Sequence, residues 1–215
     1  MDLPQYLRVQ ARANRLSNHR LHAAIAGLSR EAFHAPRTSF FPSLALTLNH
    51  SLEVDLFYVG VLYREPDLRA IFDTFVPAGD IAALAARQAA SDERLIAFCD
   101  RLDAAACSAV VDMDRTTHIQ RDRAGHLLAH LFNHQTHHRG QAHAMLAGTG
   151  VAPPQLDEFM MPSEAHLRTA DMAVLGWQEA TIYGSLPSSG QWRRQATLRH
   201  PKCSNLPGAE ARPAA

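Results

Sequence analysis

The sequence is short of most of the features by which a chain of this size announces its chemistry. Cysteine is scarce. Cys99, Cys107 and Cys203 are too few and too scattered for a disulfide framework or a cysteine-type zinc site, which makes a reducing cytoplasm the expected home. An excess of either charge is also missing, with 21 Lys+Arg against 21 Asp+Glu. Without a net field there is little to draw a phosphate backbone or an anionic membrane surface, so neither a nucleic acid nor a membrane is an expected partner. No apolar run reaches the roughly 18 residues a membrane span needs. The opening stretch MDLPQYLRVQARANRL carries charges where an export signal would be apolar. Glycine-rich phosphate loops, GxSxG elbows, CxxC pairs and the HExxH helix are absent, which removes nucleotide-binding, serine-hydrolase, thioredoxin-like and zinc-protease readings. A di-iron bundle would need ExxH on two core helices. That spacing occurs only from Glu31 to His34, in an expected loop.

What is present is helical periodicity, cut by glycine and proline into four long segments before about residue 150. The first runs from Leu3 to Leu28, with Pro4 in its opening turn and Gly27 and Ser29 as its end. The second starts after Pro42 with Ser43 as its cap and stops at Pro66. The third spans Asp80 to Leu102 with Asp80 as cap, and the fourth Arg121 to Ala147 with Gly148 as its stop. Between the third and fourth, Val110, Val111 and Ile119 suit a short hairpin or an extended crossover. The expected fold class is all-α: a four-helix bundle whose long connections are crossovers, not tight up-and-down turns. Residues 1–150 form this bundle. Residues 151–215 form an extension with room for one short helix around Trp177 and a polar, proline-containing end expected to be disordered, with Trp177 and Trp192 read as packing against the bundle.

The chemistry is concentrated in histidine, of which there are 13. His126, His130, His134 and His138 follow one another at i, i+4 along the fourth helix, with His137 and His143 beside them. The apolar stripe Ala124, Leu127, Leu128, Leu131, Ala142, Met145 and Leu146 places His138 roughly 30° and His134 roughly 70° from its centre, both on the inner side. His130 falls outside, and His126 and His137 face solvent. Histidines one turn apart can share a metal ion, and a site needs at least a third ligand. His50 is the only histidine of the second helix and falls on the face read as apolar from Leu46, Val54, Phe57 and Val61. Each of the three alone fits a buried neutral imidazole satisfied by a nearby polar group. Together they point to a mononuclear metal site, because burying all three without a shared partner incurs several desolvation costs at once.

LNHSLEVDLFYV, followed about eighty residues later by LFNHQTHHRGQAHAML, resembles the DinB family, the DinB/YfiT-like metalloenzymes; NHQTHHRGQ lies very close to that family's NHxxHHRGQ signature. The resemblance covers about residues 3 to 150. It implies a crossover four-helix bundle, frequently a homodimer, with one divalent metal on His50, His134 and His138. His137 and Arg139 match the signature without needing to touch metal. Some members are thiol-dependent transferases or isomerases that use glutathione or other low-molecular-weight thiols. The expected cofactor is therefore a divalent transition metal, zinc or nickel, with a low-molecular-weight thiol as cosubstrate and a small molecule as substrate. The bound ion would activate water or thiol, with no catalytic residue assigned on the protein. A metal-dependent hydrolase and a noncatalytic, metal-stabilised interaction bundle are the alternatives, the latter calling for a fourth protein ligand such as His130. Asp55, Tyr58 and Gln141 are candidates for the surroundings of the ion, with exposed placement equally in keeping with their positions.

Overall fold

The computed structural model of the chain describes residues 1–157 and 161–183; the polar end, with Trp192 and Cys203, lies outside the described residues. Four long helices dominate: α1 Leu3–Ile25, α3 Leu44–Tyr63, α5 Ile81–Cys99 and α7 Ala124–Ala147. The short helices α2 Arg30–His34, α4 Ala70–Thr74 and α6 Ala104–Ser108 lie in the connections, and α8 Thr169–Leu175 and α9 Glu179–Tyr183 follow the bundle. The caps explain the boundaries. Ser43 Oγ accepts from Leu46 N at 3.1 Å and Asp80 Oδ1 from Ala83 N at 2.8 Å, as their sequence positions suggested. Ser29, expected to end the first helix, instead caps α2, so the Glu31–His34 pair is helical and α1 stops at Ile25. The fourth helix begins three residues later than expected because Ile119–Arg123 forms strand β2, paired antiparallel with β1 Val110–Asp114. This hairpin buries Val111 and Met113 and exposes the alternate residues of β1.

Residue pairing gives the helix directions. Arg8, Arg12 and Asn18 of α1 bond Leu102, Asp100 and Asp92, so α1 and α5 are antiparallel. His50 and Asp55 of α3 meet His134 and Gln135 of α7, while Tyr58 meets His130, so these two are also antiparallel. Asp55 and Tyr63 reach Gln88 and Arg94, which makes α3 parallel to α5. In the resulting square α1 is diagonal to α3 and α5 to α7, so two of the three connections cross the bundle. No described helix is long and apolar enough to cross a membrane.

The core has an apolar cluster at each end. One holds Leu7, Phe57, Val61, Leu95, Leu128 and Leu131; the other holds Leu21, Leu44, Leu48, Leu84, Met145 and Leu146. Between them lies a polar layer built from all four helices: Asn14, Asn18, Asp55, Gln88, Asp92, Gln135 and Arg139, every one buried. Beyond the bundle, Met172 and Ile182 bury against Val9 and Leu16 of α1, and Trp177 packs half-buried beside them. Arg20 binds Asp171 at 2.8 Å, and Ser17 Oγ donates to the Leu156 carbonyl at 2.9 Å.

Candidate metal centre

His134 and His138 sit one turn apart on the side of α7 that faces α3, and His50 meets them from the middle of α3. Each offers one ring nitrogen, and these three atoms lie within 4.8 Å of one another. The ring centres of His50, His134 and His138 are 5.2, 4.8 and 4.4 Å apart. His50 Nε2 and His134 Nε2 are separated by 3.3 Å. Two imidazole nitrogens bound to one tetrahedral zinc-like ion stand about 3.3–3.4 Å apart, so this pair already spans the edge of such a site. His130, the candidate fourth ligand, is exposed, with its ring 6.4 Å from that of His134, and stands outside the convergent group.

The neighbours of His138 favour a neutral ring with Nε2 free. Gln141 Oε1 can only accept, so His138 Nδ1, 2.7 Å away, carries the proton and leaves its Nε2 lone pair available. The same amide donates through Nε2 to His137 Nε2 at 3.1 Å, which fixes its orientation. Glu53 Oε2 stands 3.9 Å from His50 Nδ1, on the side away from the convergence. Burial pushes the pKa of His134 down to about 3, helped by the adjacent histidines. Burial lowers His50 and His138 as well, the Gln141 hydrogen bond opposing it at His138. Neutral imidazole is the form a metal ion requires. At 3.3 Å the Nε2 atoms of His50 and His134 either share a proton as a hydrogen bond or, with both protons on Nδ1, turn two lone pairs toward one cation. His134 Nδ1 itself is buried without a partner among the described residues. Nitrogen donors alone suit zinc and nickel better than magnesium or calcium.

Phe41, in the loop before α3, lies over the trio, its ring 4.4 Å from His50 and 5.7 Å from His138. His50 and His134 remain partly exposed, so the group is reachable from solvent. The face of α3 departs from its helical-wheel pattern at Leu46. Val54, Phe57 and Val61 are buried, but Leu46 is half exposed because the inner side of the first turns is occupied by Leu44, Ala45 and Leu48.

Of the residues considered as surroundings, only Gln141 touches the trio. Tyr58 is buried and packs edge-on against His130, its hydroxyl accepting from Arg115 at 3.2 Å. Asp55 is buried in the polar layer, where its Oδ2 accepts from Gln88 at 2.7 Å and from Gln135. Exposed placement is thus overturned for both, because α3 is enclosed by α5 and α7 on two sides. Asp92 accepts from Asn14 and Asn18, and Arg139 donates to Asn14, Asn18 and Gln135. Burial raises Asp55 to about 7, with the Asp92 charge adding to it, raises Asp92 to about 6, and lowers Arg139 to about 10. Sequence reasoning missed this layer, although the pairs Asn14/Asn18, Gln88/Asp92 and Gln135/Arg139 each place two polar residues one turn apart in core phase. Gln135 and Arg139 directly follow His134 and His138, so the layer braces the same two turns of α7 that present the ligand candidates.

The sequence model of the DinB family matches residues 5–172, past the expected end of the bundle and into α8. No curated protein matches the chain. The family match covers most of the sequence and the fold is its all-α bundle: the chain belongs to the DinB family.

Proposed function

We propose that the protein is a metal-dependent enzyme in which His50, His134 and His138 hold one divalent transition ion, zinc or nickel, and that its reaction is a thiol-dependent transfer or isomerisation of a small molecule. The observation that carries the reading is the convergence of three neutral imidazoles whose nearest nitrogens stand 3.3 Å apart. When bound, the ion supplies Lewis-acid activation of a thiol, water or substrate oxygen. The chain's own residues do the rest. Gln141 holds the His138 tautomer, the partly exposed rings of His50 and His134 leave a side open to a substrate, and Phe41 shields the other approach with an apolar ring. A thiol cosubstrate is supported by the family's known members alone. Hydrolysis uses the same open position, and a noncatalytic metal-stabilised bundle is favoured only if the ion proves closed to exchange.

The test joins metal analysis to an activity screen. Purified protein is expected to contain close to one equivalent of divalent transition metal, lost in His50→Ala and His138→Ala. Metal-loaded protein is expected to conjugate or isomerise electrophiles with glutathione or another small thiol, and to lose this in His134→Ala and on chelation. Full metal retention in both alanine variants overturns the site. Turnover of esters, amides or phosphoesters in place of the thiol reaction moves the assignment to a hydrolase, and silence in both screens leaves the noncatalytic bundle.

A further inference from the structure

Four of the six histidines of α7, at positions 126, 130, 134 and 138, are spaced as a ladder, and the trio uses only its inner end. Each i, i+4 step advances about 6 Å along the helix and turns about 40° around it. His126, His130, His134 and His138 therefore drift from the outer face into the seam with α3. Their burial follows the drift: His126 and His130 are exposed, His134 is half-buried and His138 is buried. The rings close up inward as well, from 6.4 Å between His130 and His134 to 4.4 Å between His134 and His138. The buried Tyr58 meets the exposed His130 ring edge-on at 5.4 Å, and Arg115 donates to the Tyr58 hydroxyl.

We infer that His126 and His130 form a second, surface metal site, a two-histidine chelate that captures a divalent transition ion from solvent and passes it along the ladder to the buried trio. Side chains one turn apart on a helix are neighbours, and a pair of imidazoles chelates zinc, nickel or copper more weakly than three. Passage to the trio needs each incoming ring to replace a water before the previous ring lets go, so that the charge never enters the seam without ligands. His130 and His134 are spaced for such an exchange. Rings sharing one tetrahedral ion stand about 5 Å apart, about an ångström closer than these two, which the exposed His130 ring can supply by rotation.

The inference rests on the trio being the resident site, and the experiment separates the two. Apo protein is titrated calorimetrically with zinc(II), and the rate at which it takes zinc(II) from a chromophoric chelator is followed by stopped flow. The wild type is expected to bind one tight and one weaker equivalent. The double variant His126→Gln/His130→Gln, altered only at exposed positions, keeps the tight equivalent, loses the weaker one and loads at least tenfold more slowly. The double variant His50→Ala/His138→Ala keeps only the weaker equivalent. A wild type that binds a single tight equivalent, or a His126/His130 variant that keeps both equivalents or loads at the wild-type rate, overturns the inference. A wild type with only the weak equivalent, removed by the His126/His130 substitutions, refutes the trio and with it the transfer, while the surface chelate stands.

Discussion

The polar atom that most directly sets the chemistry of the trio is Gln141 Oε1. It accepts the His138 Nδ1 proton, so the ring can present its other nitrogen only in the ligating form. Gln141→Leu removes that acceptor and frees the ring to flip or change tautomer. Metal affinity, measured by chelator competition, is expected to fall between about 10- and 100-fold while the thermal transition of the apo protein barely moves. Unchanged affinity would show that packing alone orients His138. A second histidine acts on stability instead. His22 is buried in α1, its Nδ1 without a partner among the described residues, and burial pushes its pKa down to about 4. Between pH 6.5 and pH 4 the unfolded chain takes up a proton here that the native state refuses, so stability from this residue is present above pH 6.5 and is lost as the pH falls to 4. The difference in unfolding free energy between wild type and His22→Phe is expected to shift against the wild type by about 3 kcal/mol across that window. The comparison with the variant is needed because Asp55 and Asp92 act in the opposite sense. Their raised pKa values make the native state the better proton binder from about pH 4 upward, so their share of stability falls as the pH rises through 6 to 7.

At the scale of elements, the connection between α5 and α7 is where propensity and context part. Alternation in VVDMD supplies a strand, because Val111 and Met113 find the end of the bundle to cover while Val110 stays exposed. The hairpin turn holds Thr116 at φ 71°, a left-handed conformation that a β-branched residue adopts at a cost. Asp114 Oδ1 bonds the Thr116 amide and stabilises the turn all the same. Thr116→Asn retains that amide and tolerates the conformation, so it is expected to raise stability by about 1 kcal/mol, read as a higher melting temperature. A fall in melting temperature would mean that the threonine methyl makes a packing contribution larger than its strain.

At the scale of the described molecule, the bundle carries the candidate metal centre on the α3–α7 seam, while the described residues 151–157 and 161–183 lie against α1. Arg168 ties that segment together. It is fully buried, binds both Glu179 oxygens at 2.7 and 2.8 Å, and lies against the Tyr183 ring. Glu179→Ala leaves the guanidinium buried without its carboxylate. The partial exposure of Glu179 moderates the penalty to about 2 kcal/mol, expected as a lower melting temperature and faster proteolysis after residue 161. Metal content is expected to be unchanged, since none of the three ligand candidates touches this segment. Loss of metal in this variant would show that the α1 side supports the seam through the polar layer.

The sequence by itself determined the four long helices, two of their caps and the three histidines that meet. Each depends on local spacing: apolar residues at helical period, Ser43 and Asp80 three residues before the amides they cap, and imidazoles one turn apart on the inner side of α7. The sequence also carried the family signature on which the choice of His50 partly rested. What only the tertiary structure decided involves faces that three or four helices share. Leu46 reads as core on a helical wheel and is half exposed, and Asp55, whose position suits pocket and surface alike, is buried, because a wheel cannot tell which sides of α3 will meet α5 and α7. The polar layer was hidden for the same reason. Asn14, Asp92 and Arg139 are each costly to bury alone and become acceptable only when the bundle brings their hydrogen-bonding partners to the same level.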